Sequence, residues 1–213
     1  MAVDLVSYNY RHINILARDM YEYNKIDKAI DKIGSKPHGL SLLTALKAAN
    51  TDGQKVTIIC TQFSETKVKA VLTPNQIKRY EWANDPFDKS HQMLAERLAR
   101  PLFPGVAGEG SSAYVFLNPN TTVSINDRGK GVHSNDPNIM FVSLAHELIH
   151  ALRILRGFYK TPSEEGIESV LAARIGEEYR AIGLGKYALN DISENSIRYE
   201  HGLPLRHSMD FEN

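Results

Sequence analysis

"SLAHELIHALR", residues 143–153, sets His146 and His150 four residues apart with Glu147 directly after the first. On an α-helix each residue turns by about 100°, so side chains four apart lie one above the other and the two imidazoles share a face. Phe141, Leu144, Ala145, Leu148, Ile149, Leu152 and Leu155 form one apolar stripe on the same helix, and the histidines fall on the side turned away from it. Glu147 flanks the histidine pair, where its carboxylate can reach a metal-held water without being a ligand. The competing reading is an ordinary amphipathic helix whose histidines face solvent. HExxH is short enough to arise by chance, so context must decide. The context is a helix expected from Ile139 to Arg156, closed by Gly157, after a strand-rich segment.

A catalytic zinc takes three protein ligands and keeps one position for water. The longer pattern HExxHxxGxxH is absent, because Arg153, Arg156 and Tyr159 stand where glycine or histidine would be needed. The third ligand is therefore sought on the next helix, expected from Ser163 to Ile182, which carries Glu164, Glu165, Glu168, Glu177 and Glu178. Its apolar stripe, Ile167, Val170, Leu171, Ile175, Ala181 and Ile182, has Glu178 at the centre and Glu177 at the edge. A carboxylate turned into such a stripe is costly unless a cation or metal pairs with it, which makes Glu178 the first choice and Glu177 the second. An ion pair to Arg174, one turn earlier, is the other use Glu178 could have.

The chain has 213 residues and 42% hydrophobic content, enough for one core. A single domain over 1–213 is expected, with an N-terminal lobe at 1–107 and a zinc-binding catalytic part at 108–213. Lysines and arginines number 25 and so do aspartates and glutamates, so no basic field draws nucleic acid or an anionic membrane. A protein partner and a monomeric state are expected. Cys60 is the only cysteine, which excludes an internal disulfide and thiolate zinc sites and leaves imidazole and carboxylate as metal ligands. After "VTII" it reads as a buried strand residue. No apolar run approaches the roughly 20 residues of a membrane span, and the N-terminus lacks the pattern of a Sec-type signal.

Elsewhere, Ile13, Leu16, Met20, Ile26, Ile30 and Ile33 suit helical turns within 8–33, and "LSLLTALKAAN" reads as a helix ended by "TDG". "KVTIICTQF" and "TKVKAVLT", split by "SE", read as two paired strands. "TPNQIKRYEWAND" and "DKSHQMLAERLARPLF" read as helices, the first capped by Thr73 with Pro74 at its first position. Tyr114–Leu117 reads as a strand with "TTVSIND" beside it across "NPN". "RGKGVHSNDPN" reads as a loop, and the tail as irregular with a helical turn at "SENSIRYEHG".

"AHELIHALR", "GEEYRAIGLGKY" and "SENSIRYEHGLPLR" together resemble the NleD-like and HopH-like zinc metallopeptidases, effectors that bacterial pathogens deliver into host cells by type III secretion. The likeness spans "GEGSS" to "LPLR". The pairing of "HELIHALR" with "EEYRAIG" is also similar to the clostridial neurotoxin light chains, gluzincins in which the second glutamate of a Glu-Glu pair binds zinc. The resemblance implies one zinc per chain held by His146, His150 and Glu178, with Glu147 as general base. It implies an α+β, zincin-like metallopeptidase domain with a small β-sheet, an HExxH active-site helix and a following glutamate-bearing helix. It further implies cleavage of host mitogen-activated protein kinases of the JNK and p38 types in the activation loop, in the host cell cytoplasm.

The tetrahedral oxyanion of such a reaction needs a further donor, and Tyr187, Arg198 and Tyr199 are the candidates downstream of Glu178. Tyr114–Leu117 is a candidate edge strand for aligning an extended peptide, with an interior strand as the equal alternative. A zinc hydrolase of a non-protein substrate and a non-enzymatic effector with a structural metal are the two competing classes.

Overall fold

Every second residue is buried along Ile13–Ala17, and that period of two makes the stretch a strand, β2, antiparallel to β1 (Val3–Val6). The expectation of helical turns from Tyr8 is corrected here: Ile13 and Ile15 enter the core from one strand face. Helix begins only after Asp19, whose carboxylate accepts the backbone N–H of Glu22 and caps α1 (Met20–Gly34). The computed structural model describes residues 2–51, 53–62, 65–160 and 167–212.

After α2 (Pro37–Ala49), β3 (Val56–Cys60) runs parallel to β2. Cys60 ends that strand half-buried. β4 (Lys67–Val71), α3 (Pro74–Arg79) and α4 (Lys89–Ala99) follow. Thr73 caps α3 as expected, with Gln76 completing a capping box. Both helices are shorter than their sequence suggests. α4 stops because Arg100 precedes proline and is extended.

β5 (Ser112–Leu117) inserts between β3 and β4, giving the order β1-β2-β3-β5-β4. It is parallel to β3 and antiparallel to β4. One expectation fails at this point, since β3 and β4 are not neighbours, and of the two readings of β5 the interior strand holds, not the edge. Burial explains both. Ala113, Val115 and Leu117 are fully buried, as a central strand requires, whereas β4 carries Lys67 and Lys69, charges that suit a sheet edge.

β6 (Thr122–Ile125) does not join β5 across "NPN". It pairs with β7 (Gly131–Ser134), inside the stretch that reads as loop, in a separate two-stranded sheet. The C-terminal tail covers this hairpin, with Phe211 stacked on His133 at 4.9 Å. A short hairpin needs such cover to be stable, and the cover is not encoded locally.

α5 (Met140–Leu155) is the central helix, packed against β4 and β5 and against α1, α2 and α7 (Glu194–Glu200). Pro137–Leu155 is long and apolar enough by composition to cross a membrane, but it is mostly buried inside the protein as a core helix. Gly157, at φ 68°, closes α5. A Cβ there would meet the Gly108 carbonyl oxygen at 2.3 Å, so glycine lets the "GEG" entry to β5 cross the helix end. α6 (Ile167–Ile182) packs on α5 and α7. Residues 163–166 of its expected first turn, Glu164 and Glu165 among them, lie outside the described residues.

Candidate metal centre

The helical spacing of His146 and His150 brings their rings to 4.8 Å between centroids, with the Nε2 atoms 3.1 Å apart. Glu178 reaches across from α6, with Oε2 3.3 Å from His146 Nε2 and Oε1 3.3 Å from His150 Nε2. The three donor groups lie within 4.8 Å of one another. Two Nε2 atoms and a carboxylate aimed at one point form a donor set suited to a borderline cation such as Zn2+. The outer side of each ring supports this fit. His146 Nδ1 is 2.9 Å from the Glu194 carboxylate on α7, which leaves Nε2 to face the cluster. His150 Nδ1 is buried without a hydrogen bond, with the Glu177 carboxylate 3.8 Å away.

The two supporting carboxylates are themselves anchored. Glu194 accepts from Arg198 Nε at 2.7 Å and has Arg206 3.8 Å away. Glu177 pairs with Arg153, which also donates to the Phe158 carbonyl, and accepts from Lys160 N at 3.3 Å. Burial lowers both imidazole pKa values. Contact with Glu178 and Glu194 more than reverses this at His146, and the nearby carboxylates of Glu177 and Glu178 raise His150 to about 9. Burial favours the neutral form of Glu178 and Glu194 as well, yet the histidines hold Glu178 far below the usual carboxylate range. His146 and Arg198 bring Glu194 to about 2. Glu147, beside the pair, has its pKa raised mainly by burial.

The structure brings His146, His150 and Glu178 together with Glu147 alongside, but reverses the burial expected of the two α6 glutamates. Glu177 is only 3% exposed while the Glu178 side chain is 38% exposed. Leu171 is 58% exposed and Arg174 is exposed, so the apolar stripe of α6 is not its buried face throughout. Glu178 borders the cleft opposite the histidines, and their attraction, not the expense of a core carboxylate, accounts for its position.

Among the described residues none of the three oxyanion candidates is seen in direct contact with His146, His150 or Glu178. Tyr187 accepts from Arg180 Nη2 at 3.1 Å, and Arg180 is two residues past Glu178, about 200° round α6. Arg198 is 2% exposed and spends its guanidinium on Glu194 and the Val123 carbonyl, so it acts on His146 through Glu194. Tyr199 is 73% exposed. Tyr159 is nearer: its ring meets His150 edge-on at 5.8 Å. Burial first, and then the charges of Glu177, Glu147 and Glu178, raise its hydroxyl pKa and keep it a donor. The sequence reading missed Glu194, whose one signal is a glutamate four residues before Arg198 in a helical turn. Tyr159 had no signal beyond closeness to the motif.

A profile of the Peptidase_M91 family, described as effector protein, matches residues 10–208. The chain belongs to this family. The family's name marks peptidases and its description marks effectors, and the HExxH helix facing a carboxylate is a donor set that could hold a metal ion. No curated protein matches the sequence. Among solved structures, the chain is similar to the light chain of Clostridium botulinum neurotoxin serotype F, with 14% identity and a TM-score of 0.50 over 92% of this chain and 69% of that one. The catalytic domain of the same serotype gives 20% identity and a TM-score of 0.45 over 85% of this chain and 46% of that one. The botulinum neurotoxin type D light chain gives 12% identity and a TM-score of 0.41 over 73% and 49%. The chain thus spans about half the length of two of these proteins. The serotype F light chain supports the zincin-like α+β fold of this chain.

Proposed function

We propose that this effector peptidase is a zinc endopeptidase in which His146, His150 and Glu178 hold the metal and Glu147 is the general base. The observation that carries the proposal is the convergence of two Nε2 atoms and one carboxylate within 4.8 Å, with Glu147 on the same helix. Bound zinc would supply Lewis acidity, lowering the pKa of a bound water and polarising a peptide carbonyl. Glu147 takes the proton of the attacking water on its carboxylate and returns it to the leaving amine. Glu194 fixes the tautomer and direction of His146, and Glu177 stands behind His150. The Tyr159 hydroxyl is the donor for the developing oxyanion. An extended substrate segment adds to the outer edge of β4, a strand packed on α5 that among the described residues pairs only with β5.

The resemblance of "AHELIHALR" and its downstream partners to NleD-like effectors supports a finer reading. The substrates are host mitogen-activated protein kinases of the JNK and p38 types, reached after type III secretion into the host cytoplasm. Mapping new protein N-termini in host-cell extract treated with the wild type or with Glu147→Ala tests both levels. New termini within kinase activation loops, absent with the variant, are expected. No enzyme-dependent termini at all would sink the endopeptidase reading, and termini in other proteins would sink the kinase reading alone.

A further inference from the structure

Beside the metal centre, about a quarter turn round α5 from the histidines, a cavity of about 360 Å³ opens between the end of α5, α6 and the segment before α7. Its floor is apolar, with Ile149 and Leu152 buried and Phe158 half-buried. Its walls carry three guanidinium groups, Arg153, Arg156 and Arg180. Their charges are met unequally. Arg153 is neutralised by Glu177. Arg180 lies over the Tyr187 ring at 4.2 Å and donates to its hydroxyl, a partner without formal charge. Arg156 is exposed, and among the described residues no acid pairs with it. Asp191 on the rim is exposed and pairs with neither arginine among the described residues. Arg156 and Arg180 therefore line a concave, apolar-floored space, and among the described residues no carboxylate is bound to either.

Guanidinium groups bind carboxylates and phosphates through paired N–H donors, and the cavity volume falls in the range that encloses a small ligand or a few side chains. The apolar floor asks for more than a free anion, because Ile149, Leu152 and Phe158 gain only if an apolar group lies against them. A polypeptide segment that carries an oxyanion-bearing side chain next to an apolar one satisfies both demands. We propose that this pocket recognises such a segment of the protein substrate, with Arg156 and Arg180 as the anion-binding residues. The proposal rests on the endopeptidase reading only in calling that polypeptide a substrate. Arg153 is shared between the pocket wall and the Glu177 support of His150, so Arg153 and Glu177 would stand between the segment and the metal centre.

Three fluorescein-labelled peptides test this: Gly-Glu-Leu-Phe-Glu-Gly, its phosphoserine counterpart and its glutamine counterpart. Each is titrated against the full zinc-loaded chain carrying Glu147→Gln, so that none is cut, with and without Arg156→Glu. At least one acidic peptide should bind about tenfold or more tightly than the glutamine peptide, as charge-assisted hydrogen bonds predict. Arg156→Glu should remove the preference. Because Arg156 is exposed, this variant should fold, and its melting curve and zinc content check that it has. Whichever acidic peptide binds more tightly tells carboxylate from phosphate as the preferred group. Equal binding of acidic and glutamine peptides, or a preference that survives Arg156→Glu, overturns the proposal. Binding is read here without cleavage. A failure therefore leaves the peptidase reading standing, and a failure to find cut proteins in host extract leaves the pocket's preference intact.

Discussion

His146 Nδ1 and the Glu194 carboxylate meet at 2.9 Å, joining the metal-facing helix α5 to α7 across 48 residues of sequence. Arg198 holds Glu194 from behind at 2.7 Å, so a buried chain of three side chains decides which way one imidazole points. Partners of this kind fix the ring and raise its basicity.

Glu194→Gln should therefore weaken zinc affinity by about 10- to 100-fold while leaving all three donor groups in place. Chelator competition measures it. Wild-type affinity in a folded variant would show that the Glu194 contact does not support the metal.

Glu178 and Glu177 are adjacent in sequence and differ in exposure and partners. Glu178→Gln should cost far more zinc affinity than Glu177→Gln, and activity should fall in step with metal occupancy. Glu177→Gln should act mainly on stability, because it leaves Arg153 without its carboxylate, a loss typically worth about 3 kcal/mol or more for a buried pair. Zinc titration and thermal melts of both variants separate the two effects. The larger affinity loss in Glu177→Gln would reverse the assignment.

Tyr159→Phe removes a hydroxyl and little else. If that hydroxyl serves the oxyanion, kcat should drop by roughly 100-fold with KM and zinc content nearly unchanged, while Tyr187→Phe should leave kcat close to the wild type. Equal, small effects in both variants would remove Tyr159 from the mechanism.

Away from the site, Glu22 is 5% exposed and accepts from Arg18 Nε at 2.7 Å and from Arg18 N at 3.0 Å. Arg18 above all brings its carboxyl from 4.5 down to about 2. A folded-state pKa below the unfolded one adds stability above the unfolded pKa and loses it as pH falls through the folded one. The gap in melting temperature between wild type and Glu22→Gln should hold steady at pH 6 to 7 and close between about pH 4.5 and pH 2. A gap that does not narrow over that window would mean the pair contributes nothing through ionisation.

The sequence by itself determined what depends on neighbours within a turn or two. The four-residue spacing stacks His146 on His150, Thr73 caps α3, Gly157 ends α5, and the Glu-Glu pair sits on the next helix. Backbone geometry fixes these relations wherever the segment lies. Tertiary structure alone decided that β5 runs between β3 and β4, because strand order follows from which strand must be buried on both faces, not from chain order. It also decided that Arg198 serves Glu194 and that Tyr159 stands at His150. Glu194 in sequence is an ordinary first-turn acid of a short helix. Only the packing of α7 on α5 buries it against an imidazole, where a carboxylate must find partners and so becomes part of the site.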